Sequence, residues 1–131
     1  DIVFLGIGEN GHIAFNDPPV ADFYDKEIVK IVELDLPCRQ QQVNDGCFSS
    51  IDDVPKYALT LTVPALLSAN YLSAAVPGIR KAEAVCKSLF DEISTDCPAT
   101  ILRKHKNVVL YLDKDSFSLS QDKINNGKYE L

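Results

Sequence analysis

The chain has 131 residues, 46% apolar and 24% charged, with a formal charge of −6, the balance of one modest soluble core. No stretch reaches the roughly 18 uninterrupted apolar residues of a membrane span, and the acidic balance speaks against nucleic acid or an anionic membrane as default partners. Four widely spaced cysteines, Cys38, Cys47, Cys86 and Cys97, with no C-x-x-C and only two histidines, give a metal site no pattern to rest on and fit a reducing, cytoplasmic setting.

Residues 1–7 hold the apolar run Ile2-Val3-Phe4-Leu5 and predict a short buried strand. Glycines follow at Gly6, Gly8 and Gly11, then His12 and, five residues on, Asp17. In open α/β sheets ligands bind beyond the C-terminal ends of strands, so this turn is the candidate site. Gly6, Gly8 and Gly11 are read as positions where the backbone takes positive φ or approaches a ligand, with free amides able to hold an anion. His12 can move a proton near neutral pH. Asp17 either holds its other ring nitrogen or acts on substrate. The plainer alternative is a strand-to-loop turn with the histidine bonded to a backbone carbonyl. Gly6-x-Gly8-x-x-Gly11 matches the dinucleotide fingerprint by letters only. Asn10-Gly11-His12 starts a helix poorly and Pro18-Pro19 would stop one, so no nicotinamide cofactor is expected.

Residues 8–25 read as a loop in which Phe15, Phe23 and Tyr24 either form a lid or, the favoured reading, pack locally. Ile28, Val29, Ile31, Val32 and Leu34 predict a strand within residues 26–36. The glutamines after Arg39 predict a helix that Asn44-Asp45-Gly46 ends. Residues 54–64 read as a turn and a strand, with Thr62 capping a short helix that has Pro64 in its first turn. A strand over 71–76 and the turn Pro77-Gly78 follow. Ile79 to Glu92 is the clearest helix, with the stripe Ala82, Val85, Cys86, Leu89 and Phe90. Lys81 stands in its first turn, where a cation is unfavourable against the helix dipole unless an anion is bound. A short helix over 99–105, capped by His105 or leaving it solvated, precedes a strand over 107–112. Residues 116–131 read as a polar tail, either a peripheral helix or partly disordered. Strands separated by helical segments predict a parallel-rich α/β layer with His12 at the C-terminal end of the first strand.

Three blocks resemble the glucosamine-6-phosphate deaminase (isomerase) family: LGIGENGHIAFNDPP at 5–19, VPKYALTLTVPALLSA at 54–69 and VPGIRKAEAV at 76–85. The related 6-phosphogluconolactonases share a Gly-x-Gly…Gly-His core but lack the Ile-Ala-Phe-Asn that follows here. The resemblance implies a Rossmann-like three-layer α/β sandwich with a mostly parallel sheet, incomplete at its N-terminal side. Residues 1–131 would then be the C-terminal part of one such domain, with the base that abstracts a proton supplied by the preceding half. It also implies an aldose–ketose isomerisation coupled to loss of ammonia, on a phosphorylated amino sugar and without a cofactor.

The resemblance assigns roles residue by residue. His12 is similar to the acid–base histidine of ring opening. Asp17 stands where the family usually has a glutamate, keeping the charge with one methylene less reach. Asn10 stands where it usually has an aspartate, leaving an acceptor and a donor but no charge; restoring aspartate there is expected to favour the imidazolium and deamination. Lys81 is similar to the lysine that holds the sugar phosphate. Arg39 is the available stand-in for a phosphate-contacting arginine, because Asp45 and Gly46 lie at the nearest offset. The catalytic set is therefore His12, Asp17 and Asn10, and the substrate-binding set Gly6, Gly8, Gly11, Arg39 and Lys81, with no metal. A 6-phosphogluconolactonase-like hydrolase, a non-catalytic sugar-phosphate-binding paralogue and a purely structural partner chain are the rival readings. A homo-oligomer is left open.

Overall fold

The computed structural model describes residues 1–127. In chain order its elements are β1 (Ile2–Leu5), β2 (Val29–Glu33), α1 (Leu36–Asn44), β3 (Tyr57–Leu61), α2 (Val63–Leu67), β4 (Tyr71–Val76), α3 (Ala82–Phe90), β5 (Val108–Leu112) and α4 (Lys114–Asn125). Short 3-10 turns cover Ile51–Asp53, Ile79–Lys81 and Pro98–Lys104.

β1, β4 and β5 form one parallel sheet with β4 at its centre. The register runs from Ile2↔Tyr71 to Leu5↔Ala74 and from Leu72↔Val108 to Val76↔Leu112. Alternation along each strand sorts the side chains between two faces. Val3, Leu5, Leu72, Val76, Val108, Leu110 and Leu112 join the main core, with Val63 and Leu66 of α2, Val85 of α3 and Ile101. Fully burying one such side chain stabilises the fold by about 1.5–3 kcal/mol. Ile2, Phe4, Tyr71, Val109 and Tyr111 face the other way and are exposed. Among the described residues, helices therefore cover one face of this sheet, and the sandwich is an incomplete one.

β2 and β3 stand apart as an antiparallel ribbon, paired from Val29↔Leu61 to Glu33↔Tyr57. Each strand fully buries its fourth residue, Val32 and Thr60, and an antiparallel pair tolerates water on its other face. Val32, Leu34 and Cys38 make a second, small core with Phe15 and Val20 packed on it. Phe23 packs on the main core, while Tyr24 is exposed, so no aromatic lid is assembled.

Thr62 caps α2 as the sequence predicts. The long helix over 79–92 is shorter than expected. Gly78 at φ 94 leads into a 3-10 turn, Lys81 becomes the cap residue of α3, and the helix ends at Phe90. The polar stretch after Ser116 is largely helical. Asp113 and Ser116 form a reciprocal capping box at the start of α4, which packs on α3. Its fully buried positions are Ser116 and Ser120, so it has little apolar stripe to read; residues 128–131 lie outside the described residues. His105 is the cap residue of the 3-10 turn before it, its amide donating to the Leu102 carbonyl at 3.0 Å, while its ring reaches further. Its Nδ1 accepts from the Asn107 amide, so its Nε2 donates to the Ala69 carbonyl at 2.8 Å and ties the α2–β4 link to the loop before β5.

Candidate active site

The loop after β1 is held by its own backbone. The Gly8 amide donates to the His12 carbonyl at 2.9 Å, the Gly11 amide to the Gly8 carbonyl at 3.0 Å, and the Glu9 amide to Gln41 Oε1 at 2.8 Å. The His12 amide donates to Asn10 Oδ1. These four amides are engaged within the protein and are not free to hold an anion. The glycines also differ from one another. Gly11 sits at φ 83, in the left-handed region, and a Cβ there would run into the Cys97 sulfur. Gly8 has no such φ, but a Cβ there would overlap the His12 ring. Gly6 meets neither demand: its nearest neighbour would be in ordinary contact at 3.5 Å. Ala14 closes the loop at φ 50, a conformation that persists only where surroundings enforce it. Here they are the bridge between Ile13 and Asn16 and the fully buried Asn16, whose Nδ2 donates to the Ile13 and Leu61 carbonyls.

His12 Nδ1 faces two acceptors, Asn10 Oδ1 at 2.6 Å and Asp17 Oδ1 at 3.0 Å. That nitrogen must therefore carry the proton, and Nε2 is left as the basic atom of the neutral ring. The shorter arm of Asp17 does reach. Asp17 is fully buried and also accepts from Asn10 Nδ2 at 3.1 Å and from the Asp35 amide at 3.3 Å. Burial pushes its carboxyl up, but the hydrogen bonds from His12 and Asn10, the His12 charge and the Asp35 amide outweigh it and hold Asp17 below the ordinary 3.8.

α1 supplies the next layer. Asp35 is its cap residue and accepts from the Cys38 amide at 3.0 Å. Cys38 and Gln41 follow at spacings of three, hence on one helix face, and both are buried. Among the described residues, His12, Asp17 and Cys38 are the one trio whose donor atoms lie close enough for a shared ion, within 4.8 Å. Burial, with Asp17 and Asp35 nearby, pushes the Cys38 thiol up to about 12, and the Nδ1 proton fills the gap between His12 and its acceptors. The trio reads as a hydrogen-bonded cluster rather than a metal centre.

A cleft of about 270 Å³ opens at the C-terminal ends of β1 and β4, lined by Gly6, Ile7, Gly8, His12, Ala14, Gln41, Ala75, Val76, Pro77 and Lys81. Lys81 is half-buried, and burial pulls its ammonium below the usual lysine value, against the raising effect of Asp45 and Glu9. Those two acids reach Arg80 instead, at 2.9 Å and 3.6 Å, and Lys81 has no ion-pair partner among the described residues. A larger hollow of about 590 Å³ is walled by Lys87, Phe90, Asp91, Glu92 and Asp96. Its acidic rim suits no phosphate, and no histidine lines it.

His12, Gly6, Gly8 and Lys81 thus meet in the cleft, with Asn10 and Asp17 behind the histidine. Arg39 does not join them. Its guanidinium donates to the Ile51 carbonyl at 2.6 Å and the Val54 carbonyl at 3.2 Å, beside a separate hollow with Pro19, Leu34 and Lys56. Three residues near the cleft were not legible in the sequence: Asp35, Gln41 and Arg80. Each carries an ordinary surface signal and is brought in only by tertiary packing.

A Bacillus cereus glucosamine-6-phosphate deaminase is 37% identical over 124 residues, 95% of this chain and 45% of that protein. The chain is homologous to glucosamine-6-phosphate deaminases. A deaminase from Exiguobacterium sibiricum is likewise 37% identical over 122 residues. A solved monomeric glucosamine-6-phosphate deaminase superposes with a TM-score of 0.83 and 42% identity, over 91% of this chain and 47% of that one. The 6-phosphogluconolactonase of Leishmania guyanensis superposes with a TM-score of 0.64 at 24% identity, a likeness of fold. No family model matches the chain. The chain spans about half the length of the deaminases it matches. No helix among the described residues is long and apolar enough to cross a membrane.

Proposed function

We propose that the protein carrying this chain converts an amino-sugar 6-phosphate, with glucosamine 6-phosphate as the leading substrate, to fructose 6-phosphate and ammonia. The observation that carries this reading is the meeting of a tautomer-fixed histidine and an unpaired, half-buried lysine in one cleft. Homology to deaminases over nearly the whole chain supports it.

Lys81 binds the phosphate, and that remote contact orients the sugar's reactive end. His12 Nε2 takes the C1 hydroxyl proton and delivers a proton to the ring oxygen as the C1–O5 bond breaks. Asn10 and Asp17 stabilise the imidazolium formed between these two transfers. A base then removes the C2 proton, and a proton returns at C1, turning the enolamine into an imine at C2. Water adds to that carbon and ammonia leaves. His12 and Lys81 are the ionisable groups lining the cleft, and Asp17 is held behind the ring, so the C2 base comes from a part of the protein outside this chain. The same dependence makes this chain by itself a weak binder without turnover.

A coupled assay on the full-length protein tests the reading. Glucosamine 6-phosphate should release ammonia and fructose 6-phosphate in equal amounts. Acid release from 6-phosphogluconolactone without ammonia would replace it with the hydrolase reading, and binding without turnover of either would replace it with the sugar-phosphate sensor.

A further inference from the structure

The Asn10 amide touches more than the histidine. Its Oδ1 accepts from both the backbone amide and Nδ1 of His12. Its Nδ2 donates to Asp17 Oδ1 at 3.1 Å and to both carboxylate oxygens of Asp35, each at 3.3 Å. Every donor and acceptor of this side chain is used, and only one orientation of the amide works. The oxygen must face the ring N–H, because the opposite side holds two carboxylates. Asp35, meanwhile, is fixed from behind: its carboxylate caps α1 through the Cys38 amide, and its own amide donates to Asp17 Oδ2.

We propose that Asp35 is a positioning residue for His12, acting through the Asn10 amide, so that Asn10 and Asp35 form one coupled unit. The Asp35 carboxylate polarises and aims the amide, and the amide oxygen holds the proton on Nδ1. The negative charge that a carboxylate at position 10 would bring is already present, one residue removed, at position 35. This inference rests on the acid–base role of His12 given above.

The coupling has a sign. An aspartate at position 10 would set a carboxylate oxygen where the amide nitrogen now meets Asp17 and Asp35, making three carboxylates in contact, and like charges this close cannot all ionise. Viewed from position 10 alone, Asn10→Asp restores a useful charge; with Asp35 in place it is harmful. Exchanging the two groups restores the pattern, since an amide at position 35 can donate to a carboxylate at position 10. Asparagine also caps a helix about as well as aspartate, so Asp35→Asn keeps the start of α1.

The test uses the full-length protein and three variants, Asn10→Asp, Asp35→Asn and the double exchange. Two readouts are followed: kcat and KM on glucosamine 6-phosphate across pH, and the His12 ring nitrogen signals by ¹⁵N NMR. Each single variant should lower kcat about tenfold or more, as a weakened acid–base group does, with KM within about twofold and a displaced pH–rate profile. The Nδ1–H tautomer should lose population in Asp35→Asn, where the Asn10 amide is no longer aimed, whereas Asn10→Asp still offers Nδ1 two acceptors. The double exchange should recover most of the kcat and the tautomer. Single effects that simply multiply in the double variant, or a gain in kcat from Asn10→Asp alone, would overturn the proposal. If the unaltered protein turns over no amino-sugar phosphate, the functional reading fails. The NMR arm still decides the coupling: an unchanged tautomer in Asp35→Asn overturns it.

Discussion

Asp17 Oδ1 lies 3.0 Å from His12 Nδ1, with the carboxylate fully buried and the ring almost so. An aspartate thus does from a tight loop what a longer acid would do from further away. The reach comes from the backbone: the turn at Ala14 and the anchored Asn16 bring residue 17 up beside the ring. The pair divides the histidine into a fixed side, Nδ1, and a working side, Nε2.

Replacing His12 by alanine in the full-length protein should lower kcat/KM by roughly 10²–10⁴, the loss expected for a general acid–base group. Steady-state ammonia release measures it, and circular dichroism should show the fold intact. Near-normal turnover would reduce His12 to a structural residue.

Gly8→Ala should act on the same step without touching an ionisable group. The new methyl overlaps the imidazole, so the ring must leave its place between Asn10 and Asp17. A fall in kcat of about 10² is expected, in line with the cost of misplacing a reacting group. An unaltered pH–rate profile and kcat would show that the loop has room to spare.

Asp17→Asn exchanges an acceptor for a donor in a site already crowded with donors, leaving buried groups unsatisfied at a cost of about 2 kcal/mol or more. The pH dependence has a definite sign. The folded Asp17 carboxyl lies below its ordinary 3.8, so its contribution is complete above that value and disappears as pH falls through the lower folded value. Urea midpoints of the two proteins should differ at pH 7 and pH 5 and converge well below pH 4. A difference that persists unchanged in strong acid would assign the loss to packing instead.

Lys81→Ala and Arg39→Ala should separate cleanly. Removing the unpaired Lys81 ammonium should weaken binding of inorganic phosphate and sugar phosphate about tenfold and leave a dephosphorylated sugar as poor as before. Removing Arg39 should lower stability by about 1 kcal/mol, the worth of its carbonyl bonds, with phosphate affinity unchanged. Isothermal calorimetry and thermal melts on both variants distinguish them. A loss of phosphate affinity in Arg39→Ala would return that residue to the binding set.

Local chemistry made much of this legible. β4 covers the expected 71–76 with its first and last residues intact, because alternating burial and the Pro77-Gly78 stop act within a few residues. Thr62 before Val63-Pro64 is a cap signal of the same kind. His12 and Asp17 belong to one short loop, so their pairing was within reach. Asp35 was not, since it sits on another element and meets Asn10 only once the ribbon and α1 pack against the loop. Arg80 likewise looked like one more surface cation until Asp45 and Glu9 were seen to close on it. In α4 the hidden signal is chemical: serines occupy the buried positions, so hydrophobic periodicity says little there.

The contact between Gly8 and the His12 ring also has a consequence in time. A half-turn of the imidazole about its Cβ–Cγ bond would carry Nδ1 away from Asn10 and Asp17 and sweep the ring past the Gly8 backbone. The ring is thereby held in a single pose before any ligand arrives, and its rotational freedom has already been lost on folding. Binding does not have to order it.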